Sequence, residues 1–465
     1  MQKTVSSNPL EKTTSVCCAQ NHLFSRNGIS RLPDEITVSV LSFLGIREAG
    51  RTCVLSKRWE QLWSYHRVLN FDASQTIFDL ESNPNPKLLK VERCRYINWV
   101  NKVTESHCGS TIDEFRVSFC LNRSSSCVID RWIEFAIAKR VQRLELDLEP
   151  SYYIDRGRAY TFPNPIYIHI KSPAGLSSIR SLRSLCFKRV NISGEILEYF
   201  LSNCPLLESL QVDQSRHLVN LKVFGSSLRL KVLEITFCPK LMDVEVSATS
   251  LVSFKYVGLG QAINMQIKDA FQLAHLSCSD FVVPIERVFF QFSSYFSQLE
   301  TLLLTINFRH FPKANAAFEQ LPEFSKLKHL TLQLVADNFS KLLVWTTLIN
   351  ASPLLHKFEL QIDYLGPREK QYERKMLEGG NCPHQSLKEV ELAGFCGRVI
   401  DLEFAHYLIK NAVTVEKIII NRHCTIRASR PRPWLFEETK EKQYAKKCAM
   451  ELQKSLPSRI KMEII

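Results

Sequence analysis

The chain has 465 residues, of which 45% are hydrophobic and 23% charged, a composition typical of folded proteins. Its length exceeds what one globular core usually supports, and no long linker divides it, so we predict an elongated repeat array. The 15 glycines are too few for a turn-rich β-sandwich or propeller, and the net charge of +13 is too dispersed to favour nucleic-acid binding over a solvated basic surface.

Cysteine usage and the N-terminal residues indicate a reducing compartment. The 15 cysteines are odd in number, scattered and without CxxC spacing, unlike the pattern of a secreted disulfide scaffold. Residues 1–28 are rich in Ser, Thr and Asn and lack the apolar run of a signal peptide, and no stretch reaches the length of a membrane span. We expect a disordered leader over 1–28 and a protein of the cytoplasm, the nucleus or both, without membrane contact.

Three short helical patterns follow between Ile29 and Trp63. The first begins at Pro33, where proline and two acidic residues favour a helix start, and Gly45 is placed to end it. The second covers residues 47–54, and Ser56 can cap the third. The apolar positions of these patterns are Ile36, Val40, Leu41, Leu44, Ala49, Cys53, Val54, Trp59, Leu62 and Trp63. This surplus of large apolar side chains predicts a face for a partner or for the rest of the chain.

Beyond this N-terminal module (residues 29–71), which ends in a strand pattern, we predict a helical connector over 72–110 and then a repeated unit. The unit has the form apolar-x-x-apolar-x-apolar, and its first apolar positions from residue 182 onward are 21 to 32 residues apart. They are Leu182, Leu207, Leu230, Leu251, Leu273, Leu299, Leu327, Leu355, Leu387 and Val415. This spacing is the range of leucine-rich repeats.

Two departures from the repeat stand out. Residues 150–178 interrupt it with prolines and aromatics and are predicted to form a long insertion. Extra half-steps appear at 217–223 and 241–246, which predicts strands on both sides of the solenoid there.

Alternate strand residues should lie on an open concave face. The candidates are Glu208 or Gln211, Glu234, Glu245, Lys255, Thr301, Gln333, Lys357, Glu359 and Glu391.

The N-terminal module resembles a known domain. The Leu32-Pro33 pair at the first helix and the phrase LSKRW at Leu55–Trp59 are similar to an F-box of the plant kind. Residues 128–148 look like the start of the repeats in plant F-box/leucine-rich-repeat proteins, and residues 386–420 are similar to the FBD domain that ends many of them. Gly50 is an unfavourable residue for the second helix, because glycine lowers the stability of a helix by about 1 kcal/mol relative to alanine.

The resemblance implies an α/β fold with a three-helix F-box over 29–71 and a connector over 72–110. A curved leucine-rich-repeat solenoid over 111–380 and an FBD-like segment over 381–465 would follow. It also implies docking onto a Skp-type adaptor and through it a cullin, in an SCF ubiquitin ligase whose target the repeats bind. The adaptor contacts would come from Leu32, Pro33, Ile36, Val40, Leu41, Leu44, Val54 and Trp59. The alternative is a non-ligase interaction scaffold in which the F-box acts as a cap.

No catalytic chemistry is indicated. Cys382, His384, His406, His423 and Cys424 invite comparison with metal ligands or a Cys/His pair, but their spacing matches no structural zinc site. No P-loop, GxGxxG or GxSxG motif occurs. We therefore predict a receptor subunit that is not itself an enzyme and binds no cofactor or metal, with the identity of the target left open.

Overall fold

A computed structural model of the chain describes residues 32–148, 158–164, 179–225, 228–260, 263–280, 285–307, 321, 323–336, 342–364, 383–423 and 439–465. The predicted leader and most of the predicted insertion therefore lie outside the described residues, as do Cys382 and Cys424.

Eleven α-helices are present in the described residues. They are α1 (Asp34–Leu41), α2 (Ile46–Arg51), α3 (Lys57–Leu62), α4 (Ser74–Ser82), α5 (Pro86–Ser106), α6 (Ser126–Ala138), α7 (Gly194–Asn203), α8 (Ile285–Phe292), α9 (Thr346–Asn350), α10 (Val399–Asn411) and α11 (Lys440–Lys454). The first three form the N-terminal module, joined by a 3₁₀ turn over Thr52–Leu55, which confirms its predicted three-helix pattern. The hydroxyl of Ser56 accepts a hydrogen bond from the backbone N–H of Trp59 and caps α3, as predicted.

Helix α1 is shorter than the sequence pattern predicted. It ends at Leu41, and the N–H of Leu44 donates to the carbonyl of Leu41 across 2.9 Å in a tight turn. The hydroxyl of Ser39 donates to a carbonyl of the preceding helical turn, a bond that favours helix termination. Gly45, with φ −65°, is the N-cap of α2. Its predicted role as the stop of α1 was therefore wrong.

The strands follow the predicted repeats. In chain order they are β1 (Val68–Asp72), β2 (Glu114–Ser118), β3 (Arg143–Asp147), β4 (Tyr160–Thr161), β5 (Ser184–Lys188), β6 (Val190–Asn191), β7 (Ser209–Asp213), β8 (Asn220–Phe224), β9 (Val232–Thr236), β10 (Asp243–Ser247), β11 (Ser253–Val257), β12 (Asn264–Lys268), β13 (His275–Ser279), β14 (Thr301–Asn307), β15 (His329–Ala336), β16 (Lys357–Tyr364), β17 (Glu389–Ala393), β18 (Lys417–Asn421) and β19 (Lys461–Ile464).

Fourteen of these described strands form one parallel sheet, which we call the long sheet. Its order is β1-β2-β3-β5-β7-β9-β11-β13-β14-β15-β16-β17-β18-β19. The second and fourth residues of each strand point inward, as Leu210 and Val212 do on β7, and their neighbours in the paired strands extend one continuous core. One repeat alone cannot bury its apolar face, so stacking is what stabilises the array. This confirms the predicted α/β solenoid.

A second parallel sheet, β12-β10-β8, lies on the opposite side of the solenoid. Two of its strands, β8 and β10, occupy the predicted half-steps and confirm that both sides of the array are strands in this region, while β12 adds a third strand that was not predicted. The edge of β8 is covered by α7, whose Glu198 carboxylate accepts the N–H of Lys222 across 3.0 Å. Glu245 belongs to β10 in this sheet. Placing it among the concave-face candidates was therefore wrong, because both sheets alternate apolar and polar residues with the same period.

Candidate functional site

The N-terminal module exposes large apolar side chains along α1, the turn after it and the 3₁₀ turn before α3. Phe43 is 88% exposed and Val54 is 84% exposed. We call this group the exposed apolar set, and it comprises Ile36, Val40, Phe43, Leu44, Val54 and Leu55. Exposed apolar residues at this density are typical of a protein-binding surface.

A small core lies beneath this set. It is formed by Leu41, Ala49, Trp59 and Leu62, with Val38 and Trp63 packed against it. Leu41 is only 1% exposed and Trp59 only 8%, so neither side chain is available for direct contact with a partner. Both were predicted contact residues, and the structure gives them the role of supporting the exposed apolar set.

Arg58 connects the two conspicuous sequence phrases of the module. Its Nε donates to Oδ1 of Asp34 across 2.7 Å, and its Nη2 donates to the carbonyl oxygen of Leu32. The guanidinium thereby fixes the entry into α1, where Leu32 is half-buried and Pro33 exposed. The arginine of LSKRW thus holds the Leu-Pro pair in place.

The opposite side of the module is joined to the repeats. Ile46 of α2 belongs to the continuous core of the solenoid, and Trp63 packs against both that core and the small core of the module. The guanidinium carbon of Arg47 lies 4.0 Å from the ring centroid of Trp99 on α5, a favourable cation–π distance. Trp63 is therefore part of the internal contact between the module and the repeats.

His66 adds a polar connection that sequence reasoning missed. It is 1% exposed, and its Nδ1 accepts the N–H of Val68 at the start of β1 across 3.2 Å. Its Nε2 faces the carbonyl oxygens of Leu41 at 3.1 Å and Leu44 at 3.2 Å. Because both partners of Nε2 are acceptors, this nitrogen carries the proton and donates to them. The end of α1 is thus tied to the first strand of the long sheet.

His107 continues this connection into α5. Its Nε2 lies 3.1 Å from the carbonyl oxygen of His66. Burial lowers the pKa of His107 below its ordinary value, since a charged ring loses its hydration there. The neutral ring is therefore favoured, and it links the residue after α5 to His66, two residues before β1.

The exposed face of the long sheet is the second candidate surface, and in its first strands it carries linked ion pairs. Arg116 on β2 lies 3.1 Å from Asp72 and 3.2 Å from Glu145 on the flanking strands. Lys188 on β5 then lies 3.0 Å from the same Glu145. Neighbouring strands of the N-terminal repeats therefore neutralise one another and leave little free charge.

Two models of known protein families match the chain. The F-box domain model matches residues 29–71. A model of the leucine-rich-repeat domain of At1g61320/AtMIF1 matches residues 103–462, most of the chain. The chain belongs to the F-box/leucine-rich-repeat family.

Several Arabidopsis thaliana proteins are similar to this F-box/leucine-rich-repeat protein. The putative F-box/LRR-repeat protein At4g15060 is 28% identical over 362 residues, covering 72% of this chain and 79% of the relative. The F-box/LRR-repeat protein At2g42730 is 28% identical over 258 residues, and the match spans about half of each, 52% and 55%. The FBD-associated F-box protein At5g60610 is 25% identical over 413 residues, covering 83% of this chain and 97% of the relative.

Two of the histidines that invited a catalytic or metal-binding interpretation differ in their surroundings within this F-box/leucine-rich-repeat protein. His384 is buried, with its Nε2 at 2.8 Å from the carbonyl oxygen of Ser352 and its Nδ1 accepting the N–H of Leu387. His406 is exposed on α10. Across the described ranges, no three His, Cys, Asp or Glu side chains gather into a cluster suited to a metal ion. The same ranges contain no helix of the length and apolarity that crossing a membrane requires.

Proposed function

We propose that this protein is the substrate-recognition subunit of an SCF-type ubiquitin ligase. Its F-box would dock on a Skp-type adaptor, which connects it to a cullin, and its repeats would hold the target protein. In this function the chain forms or breaks no covalent bond. It raises the effective concentration of the target's lysines near the charged ubiquitin carrier.

The exposed apolar set is the observation that carries this proposal. A cap on a repeat array presents a polar outer face to water, whereas Phe43 and Val54 present almost their whole side chains. Burying a side chain of this size contributes roughly 1.5–3 kcal/mol, so a partner that covers several of them gains substantial affinity. The exposure therefore favours a docking module over the non-ligase scaffold whose F-box acts only as a cap.

The proposed contact residues follow from exposure. Pro33, Ile36, Val40, Leu44 and Val54 remain from the sequence prediction, and half-buried Leu32 borders them. Phe43 and Leu55 join the group because they are 88% and 65% exposed. The sequence signal for both was their apolar character next to predicted contact positions. Leu41 and Trp59 are left as support.

We also propose a division of the chain into an F-box over 29–71, a connector over 72–110, repeats over 111–380 and an FBD-like segment over 381–465. Pairing of β16 with β17 supports treating the last segment as a continuation of the solenoid, since Phe358 lies opposite Val390 in register. The names of FBD-associated relatives support the same assignment.

Binding of the purified full chain to a plant Skp-type adaptor, measured by calorimetry, tests the proposed function. Phe43→Asp and Val54→Asp place a charge in the exposed apolar set without touching the small core, and each should weaken binding at least tenfold. The matched control is Phe271→Asp, since Phe271 is 71% exposed on the turn between β12 and β13. It should bind like the wild type.

Two outcomes would contradict the proposal. If the wild-type chain shows no adaptor binding, the F-box acts only within this chain, as the scaffold alternative requires. If adaptor binding is equally strong in Phe43→Asp, Val54→Asp and the control, docking occurs on another surface. A complex that also retains a cullin on gel filtration would extend the result from docking to ligase assembly.

A further inference from the structure

The exposed face of the long sheet changes character between β11 and β16. The third residue of most strands is charged or carries an amide on both sides of this region, as with Glu234, Lys255, Glu359 and Glu391. On β13, β14 and β15 the same register position holds Ser277, Leu303 and Thr331. The charged pattern is therefore interrupted for three successive strands.

The interruption forms a groove of about 440 Å³. Its floor is the row Ser277, Leu303 and Thr331, and Leu303 is a half-buried aliphatic side chain at the centre of that row. The first residues of the same strands are His275, Thr301 and His329. This arrangement places one apolar side chain among hydroxyl and imidazole groups.

Several of these polar groups are available to a ligand. The Nδ1 of His275 lies 2.6 Å from the hydroxyl of Thr301, so these two satisfy each other. The side chains of His329 and Ser277 make no hydrogen bond to any residue that the structure describes, and His329 is exposed. Uncharged donors and acceptors of this kind pair well with backbone amides and with neutral polar side chains.

The charged side chains at both ends of the groove already take part in ion pairs. Lys255 lies 3.6 Å from Glu234 at one end. At the other end Lys357 lies 2.8 Å from Glu359 and 3.1 Å from Glu389. A strongly acidic or basic segment would have to compete with these existing pairs. The charge balance therefore favours an uncharged occupant.

The dimensions of the groove limit the length of the segment that can occupy it. Four strand-to-strand steps separate β11 from β16, which corresponds to about 19 Å at a typical spacing of about 4.8 Å. An extended peptide advances about 3.3 Å per residue, so five or six residues cross the groove.

We propose that the groove over β13–β15 is where the target docks, through an uncharged segment of five or six residues whose central aliphatic side chain packs on Leu303. This inference rests on the proposed function of a target receptor, and it adds the site and the chemistry of the recognised segment. The histidines and hydroxyls orient the segment, and Leu303 supplies the apolar contact.

The probe for a test is a random heptapeptide library displayed on phage and selected against the immobilised full chain. We expect enriched peptides to have an uncharged core with Leu, Ile or Val at its centre. Synthetic copies should bind Leu303→Asp at least tenfold more weakly than the wild type. Gln211→Asp changes the same register position on β7, outside the groove, and should bind within twofold of the wild type.

Selection of acidic, basic or phosphorylated-mimic peptides would overturn the proposed chemistry, and so would failure to enrich any peptide. Equal binding by Leu303→Asp and Gln211→Asp would overturn the proposed site. Adaptor binding of the same preparations separates this inference from the proposed function. If the chain binds the adaptor but no peptide binds in a way that depends on Leu303, only the proposed groove site is refuted. If the chain binds no adaptor, the proposed ligase function is refuted.

Discussion

The Nε2–H of His66 donates to the carbonyl oxygen of Leu41 across 3.1 Å, and this bond ties the end of α1 to the segment that leads into β1, the first strand of the long sheet. Leu41 is the last residue of α1, so its carbonyl lies beyond the regular hydrogen bonds of the helix and accepts the N–H of Leu44 in the turn as well as the proton of His66. The same ring accepts the N–H of Val68 in β1. The helix that carries part of the exposed apolar set is thereby oriented by the first strand of the array, which fixes the position of that set relative to the long sheet.

Replacing His66 with alanine should destabilise the protein by about 2–4 kcal/mol, because it removes the hydrogen bonds of the ring to backbone groups at the end of α1 and the start of β1 and opens a cavity. Urea unfolding followed by circular dichroism would measure this change. Hydrogen exchange should also accelerate at the amides of α1, since that helix loses its anchor. His406→Ala removes an exposed histidine and should change stability by less than about 0.5 kcal/mol. Equal losses in the two variants would contradict the anchoring role.

The repeats could be predicted because each strand must present two apolar side chains to the core. Two strands show this requirement at the same positions of the repeat, with Leu210 and Val212 on β7 and Phe358 and Leu360 on β16. The periodic apolar residues therefore carry the fold directly. The sequence does not indicate which of the two sheets a strand joins, because Glu245 on β10 alternates with apolar neighbours as the polar residues of the long sheet do.

The exposed apolar set was harder to predict for a related reason. Apolar side chains at helical spacing are needed both for a core and for a partner, so Leu41 and Val40 look alike in sequence although one is 1% and the other 45% exposed. The contacts of His66 lie 22 and 25 residues away in the chain. No local pattern indicates such a bond, and only the fold brings its partners together.

Two glycines should respond oppositely to substitution by alanine. A Cβ on Gly194 would lie 1.9 Å from the carbonyl oxygen of Asn220, whose strand is held in the second sheet. We expect Gly194→Ala to cost about 2–3 kcal/mol, because backbone must shift to admit the methyl group. A Cβ on Gly50 in α2 meets no atom within 4 Å, so Gly50→Ala should stabilise the protein by about 0.5–1 kcal/mol.

Urea midpoints of the two glycine variants, compared with the wild type, would check both signs. A destabilised Gly50→Ala would mean that the helical position is constrained by something other than propensity. A neutral Gly194→Ala would mean that α7 and β8 separate readily, contrary to their close packing.

Alkaline pH should destabilise the fold through its buried thiols. Burial raises the pKa of Cys204 to about 12 from an ordinary value of 9.0, so the folded state keeps a proton that the unfolded state loses. The stability from this group is complete below pH 9 and is lost as pH rises toward 12. Cys278 behaves likewise, because burial and then the charge of Asp280 raise its pKa to about 12.

The variant Cys204→Ala isolates one of these groups. Its stability deficit relative to the wild type, measured by urea unfolding, should shrink by about 1.4 kcal/mol per pH unit above pH 9. Cys94→Ala removes an exposed cysteine, and its difference from the wild type should stay constant over the same range. Parallel stability curves for Cys204→Ala and the wild type would contradict the buried-thiol account.

The burial of an ion pair on the long sheet should determine how much it contributes to the stability of the fold. Arg116 is 22% exposed and bridges Asp72 and Glu145, so Arg116→Ala removes charged hydrogen bonds from two strands and should cost about 1–3 kcal/mol. Lys328 pairs with Glu300 at 3.0 Å, but the two side chains are 46% and 44% exposed, and Lys328→Ala should cost less than about 0.5 kcal/mol. Added salt should reduce the stability loss of Lys328→Ala by a larger fraction than that of Arg116→Ala, because exposed charges are screened more fully. Urea unfolding at low and high sodium chloride measures both quantities, and similar losses for the two variants would mean that burial does not strengthen the Arg116 bridge.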